Sequence, residues 1–171
     1  KNLINSSGTV SADVTGVGTA RRGLGATKYG TGLALFAFGQ VSGTVNTRNL
    51  VSTSGVIASD VSGVGTARAG VEAAGYDGDK GLFCYGGQTS TRNKVSNTGV
   101  VNSDQSGAGT ARTDTAASEY GGDKAIFGFG DSNQYLGVTN LVNTGGVIGS
   151  DVSAVGTARK NPGAAGFSFS A

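Results

Sequence analysis

Short apolar runs, each closed by glycine, alternate with polar stretches along the whole chain. The clearest are LALFAFG from Leu33, GLFCYG from Gly81 and AIFGFG from Ala125. Runs this short, bounded by glycine and carrying aromatics at alternate positions, predict buried strands rather than helices. Phe36 with Phe38, Phe83 with Tyr85, and Phe127 with Phe129 should each project to one face of a sheet and pack against the next. Downstream of each run, a polar linker leads to NLVSTSGVIASD at Asn49, NKVSNTGVVNSD at Asn93 and NLVNTGGVIGSD at Asn140. Two β-branched runs around a central glycine predict strand, turn and strand.

The pattern repeats. SADVTGVGTAR at Ser11 to Arg21 returns at Ala58 to Arg68, Asn102 to Arg112 and Gly149 to Arg159. The four arginines are 47, 44 and 47 residues apart. Each unit predicts four strands: the Ala-rich stretch with TAR, the Phe run, the NLV segment and the GVI segment. Four antiparallel strands in a period of roughly 40 to 50 residues is the arithmetic of a propeller blade. A β-solenoid of stacked coils remains the competing architecture.

The unit boundaries are 1–18, 19–65, 66–109, 110–156 and 157–171, within one repeat domain. Lys1-Asn2-Leu3 aligns with Arg48-Asn49-Leu50, and AAGF at Ala164 to Phe167 aligns with AAGY at Ala73 to Tyr76. The first and last units are therefore expected to share a blade, pairing the N- and C-terminal strands to close a ring of about four blades. That closure would remove the open edges that invite aggregation. Lys1 as a boundary inside a longer array is the alternative.

Composition supports an all-β chain rich in turns: 32 of 171 residues are Gly, with 18 Ser, 18 Thr, one Pro and no Met or Trp. The 13 basic and 11 acidic side chains leave a net charge of +2, far from the dense positive field that binds nucleic acid. No apolar run approaches the roughly 20 residues of a helical span, so no membrane insertion is expected. Residues 1–20 also lack the basic start and apolar core of a secretory signal. The absence of His removes the commonest general base and zinc ligand. No cofactor, metal or enzymatic activity is expected.

GVGTAR, the arginine near each junction, the glycine-closed DKAIFGFG strand and the variable linker together resemble the kelch class of propeller repeat. The double glycine of that class occurs only as Gly86-Gly87, and its Trp is absent. Nearly identical tandem units of this kind are similar to the kelch-like repeats in tail and fibre proteins of tailed bacteriophages. The resemblance implies a non-enzymatic structural protein on a virion or outside the cell, in an exposed appendage that serves assembly or host-surface attachment. Its implied partners are other virion proteins or a host-surface glycan, with homo-oligomers compatible. A soluble carbohydrate-binding propeller lectin is the alternative.

Asp13, Asp60, Asp104 and Asp151 each stand eight residues before Arg21, Arg68, Arg112 and Arg159. One reading makes the aspartates a ring of carboxylates around an axis that holds a hard cation. The other pairs each Asp with an Arg, or with backbone N–H groups of the Gly-rich turn, to fix the blade junction. The travelling opposite charge favours the junction. Surface binding is expected on the variable linkers, through Gln40, Asn46, Gln88, Asn133, Gln134 and Tyr135, because loops on a rigid frame carry recognition.

Overall fold

The computed structural model describes residues 1–166, which contain nine strands and no helix. They form three separate antiparallel sheets, each with its strands in chain order. The first comprises β1 (Gly25–Tyr29), β2 (Leu33–Ala37) and β3 (Arg48–Val51). The second comprises β4 (Glu72–Tyr76), β5 (Lys80–Cys84) and β6 (Arg92–Val95), and the third β7 (Ala116–Tyr120), β8 (Lys124–Gly128) and β9 (Thr139–Val142). Each first hairpin turns through three residues. In the first sheet Tyr29 pairs with Leu33, and Gly30 and Gly32 supply the positive φ that a tight hairpin needs.

The predicted ring of four blades, each with four strands, is not what forms. There are three sheets of three strands, and the TAR segments lie outside the strands. The GVI segments make only isolated bridges, for a local reason. In the first sheet Val51 bridges Ile57 and Arg48 bridges Val61, so three steps along β3 face four steps on its partner. The same mismatch recurs at Val95 with Val101 and Arg92 with Gln105, and at Val142 with Ile148 and Thr139 with Val152. One extra residue per unit is a β-bulge, which interrupts the ladder and re-aims side chains. Asp60, Asp104 and Asp151 sit in these bulges.

Ring closure by the chain's ends also fails among the described residues. The N-terminal unit forms one bridge, Ile4 with Val10, and Lys1 Nζ donates to Gly55 O at 3.1 Å. That contact repeats between later units, where Arg48 reaches Gly99 O and Arg92 reaches Gly146 O. Residues 157–166 contain no strand and make no hydrogen bond to residues 1–24. Phe167, the expected counterpart of Tyr29, lies outside the described residues.

The core lies between sheets. Leu35, Phe38, Val71, Phe83 and Val95 fill the space between the first and second sheets. Leu82, Cys84, Tyr85, Phe127 and Val142 fill that between the second and third. The second sheet is therefore covered on both faces, which is why Gly81 through Cys84 are all buried. Cys84 is wholly enclosed, and burial pushes its thiol up to about 12. The aromatic pairs do not project as simple alternation predicts. Phe38, Tyr85 and Phe129 adopt φ near +60° just beyond their strands. The second aromatic of one sheet thereby meets the first of the next, edge to face: Phe38 with Phe83 at 5.4 Å and Tyr85 with Phe127 at 5.8 Å.

Candidate functional site

Three similar polar junctions each tie the start of a unit to its third strand and bulge. Arg21 donates through Nε to Phe38 O at 2.8 Å and through a terminal nitrogen to Asn49 Oδ1 at 2.7 Å. Asn49 Nδ2 donates to Asp60 Oδ1 at 2.8 Å, and Asp60 also accepts from the Thr19 amide and hydroxyl at 2.9 and 2.6 Å. Arg68, Asn93, Asp104 and Thr66 repeat this geometry, and Arg112, Asn140, Asp151 and Thr110 repeat it except that the buried Arg112 Nε has no hydrogen-bond partner among the described residues. The arginine side chains are almost fully buried, whereas the aspartates stay about one-third exposed.

Each aspartate thus serves the arginine that opens its own unit, not the one eight residues downstream, which opens the next. Asp60 faces Arg21 at 3.9 Å, Asp104 faces Arg68 at 3.9 Å and Asp151 faces Arg112 at 3.7 Å. The bulge carries the carboxylate back across the third strand, and sequence proximity has no bearing on that approach. At the two ends only half-junctions exist among the described residues. Asp13 accepts from Asn2 Nδ2 at 2.9 Å, while Arg159 donates to Thr157 O and lies 3.9 Å over the Phe129 ring. The four aspartates do not converge, and among the described residues no cluster of three acidic or Cys side chains could hold a metal.

The Thr19 hydroxyl, with Asn49 and the Thr19 amide, holds Asp60 below the usual carboxylate range. For Asp104 and Asp151 partial burial opposes ionisation, but the Thr and Asn hydrogen bonds together outweigh it and the net shift is again downward. Asn49, Asn93 and Asn140 are the junction residues that the sequence reading missed. Their signal was present, as one Asn opening every NLV or NKV segment.

The six linker residues are not gathered into one site. Gln88, Asn133, Gln134 and Tyr135 are exposed, Tyr135 by 57%. Lys160 lies 5.5 Å over the Tyr135 ring while binding Asp131 at 3.2 Å. Asn46 is half-buried and serves as a brace, donating to Gly65 O at 2.8 Å. Gln40 lines a cavity at the linker end. Backbone bridges of Arg22 with Gln40, Thr89 with Arg112 and Thr113 with Asp131 keep all three linkers at the same end of their sheets.

Two open cavities lie along the first strands. One, of about 450 Å³, is lined by β1, β4 and β7, and the ion pair of Lys28 with Glu119 at 2.5 Å crosses it from the first sheet to the third. The second, of about 400 Å³, opens at the linker end and is lined by Arg22, Gln40, Thr113, Asp114 and Asn161 together with small residues. Glu72, half-buried at the start of β4, is pushed up to about 7 by burial and secondarily by Asp114. No protein-family model matches the chain, and no curated protein shows significant similarity to it.

Proposed function

We propose that this chain is a non-enzymatic structural module of an exposed virion appendage, serving assembly or attachment to a host surface. One observation carries the reading. The arginine–asparagine–aspartate chemistry of the interior recurs in three junctions, while the linkers that follow β2, β5 and β8 at one end of the sheets differ in sequence from unit to unit. A frame that repeats its interior and varies its rim is organised for presentation. The polar groups are spent on one another: arginines on asparagines, lysines on neighbouring aspartates as in Lys80 with Asp77 and Lys124 with Asp123.

The virion setting rests on the sequence resemblance of GVGTAR and DKAIFGFG to phage repeats. Co-sedimentation of the purified protein with cell-envelope fractions and with isolated phage tail components tests it. Retention by either fraction is expected, and failure to bind both overturns the proposal.

A further inference from the structure

We infer that the cavity at the linker end is a binding site for a neutral saccharide. The inference deepens the attachment reading and rests on it only for biological purpose; the binding chemistry stands on the cavity itself. Equivalent turns of four successive units meet at this mouth, with Gly23, Gly70, Asp114 and Asn161 all at positive φ. Their backbones are linked in series. Gly70 N donates to Gly23 O at 2.9 Å, Asp114 N to Gly70 O at 3.2 Å and Asn161 N to Asp114 O at 2.9 Å. The rim is therefore pre-formed, which lowers the ordering cost of binding.

Side chains around this rim have spare hydrogen-bonding capacity. Among the described residues the Asn161 side chain makes no hydrogen bond, Arg22 reaches only Gln40 Oε1 at 3.5 Å, and Asp114 accepts only from Thr113 Oγ1 at 3.4 Å. Glycine serves the same turn in two units, so Asp114 and Asn161 add functional groups that the backbone conformation does not require. A guanidinium, a carboxylate, two amides and a hydroxyl match the paired donors and acceptors of adjacent sugar hydroxyls.

Charge and shape narrow the class. Arg22 and Asp114 cancel, Lys160 is engaged by Asp131, and Glu72 beside Asp114 holds its proton until about pH 7. A mouth without net field favours neither phosphate nor a cation. A peptide would need an apolar anchor pocket, and the lining offers only Ala69 and glycines as apolar surface. The volume falls within the roughly 300–1,000 Å³ of small-ligand sites.

Saturation-transfer NMR and calorimetry test this on the intact chain, with methyl glycosides of glucose, galactose, mannose and N-acetylglucosamine and their trisaccharides as probes. At least one probe should bind with one site per chain. The double variant Arg22→Ala with Asn161→Gly, which keeps the left-handed turn, should weaken it about tenfold or more, and Tyr135→Ala should leave it unchanged. An unaltered melting temperature for the double variant separates lost binding from lost folding. Absence of binding to every probe, or binding abolished by Tyr135→Ala but retained by the mouth variant, overturns the assignment. Loss of sugar binding in the mouth variant with envelope retention unchanged would support this site and leave the attachment reading standing on the linkers.

Discussion

The guanidinium carbon of Arg68 lies 4.1 Å above the ring of Phe38, a residue of the preceding unit. The same ring meets Phe83 edge on, and its own carbonyl accepts from Arg21. One residue therefore joins both neighbouring arginines to the aromatic core. Arg21 makes the same side-chain hydrogen bonds as Arg68 but has no ring of a preceding sheet beneath it.

Comparison of the two arginines isolates the stacking contribution. Arg68→Ala should destabilise by about 3–5 kcal/mol, the usual cost of breaking a buried charge network. Arg21→Ala should cost about 1 kcal/mol less, the difference being the cation–π contact. Urea unfolding measures both, and a loss at Arg21 equal to or above that at Arg68 would refute the stacking role.

Asn93 is completely buried, with Oδ1 accepting from Arg68 and Nδ2 donating to Asn102 O and Asp104. Asn93→Asp preserves shape and the bond from Arg68 but loses the donor and sets two carboxylates together. A loss of about 2–3 kcal/mol at neutral pH is expected, shrinking on acidification as one carboxylate takes a proton. A pH-independent loss would show that the amide is not the link between arginine and aspartate.

Gly65 has φ +91°, and a Cβ there would run into the Asp104 carboxylate and come within 2.8 Å of Asn93 Nδ2. Gly65→Ala should therefore cost about 2–3 kcal/mol through strain and displacement of the junction. Gly16, the first glycine of the first GVG copy and so the counterpart of Gly63 rather than of Gly65, has open space around it and no left-handed φ. Gly16→Ala should be close to neutral, and thermal melts of the pair decide whether Gly65 is required by the junction.

Two groups of acids give the stability curve opposite slopes. Asp60, Asp104 and Asp151 titrate below their unfolded values, so their contribution is present above about pH 4 and lost as pH falls through the folded values. Glu72 titrates above its unfolded value of 4.5, at about 7. Its contribution is full below about pH 4.5 and is lost as pH rises to 7. Allowing for its partial exposure, the change is on the order of 1–2 kcal/mol. Glu72→Gln should match the wild type near pH 4.5 and exceed it in stability at pH 8. Parallel curves for the two proteins across that range would remove Glu72 from the balance.

Local features of the fold were legible from residues a few positions apart. The glycine-ended aromatic runs became β2, β5 and β8, the NLV segments became β3, β6 and β9, and Tyr29 turns to Leu33 through Gly30 and Gly32 as its neighbours dictate. Strand formation and tight turns depend on short-range sterics and period-two burial, which a single chain displays openly. The junctions were legible in kind but not in pairing, because Asp60 approaches Arg21 only after a bulge and three strands have carried it back.

By itself, then, the order of amino acids determined an all-β repeat, its period and the Arg and Asp of each junction. Tertiary structure alone decided that the sheets have three strands, that the second is enclosed on both faces, and that Asp114 and Asn161 meet Arg22 at one mouth. Those outcomes depend on bridge register and on contacts between distant units. A one-residue bulge changes both while leaving the hydrophobic pattern almost untouched.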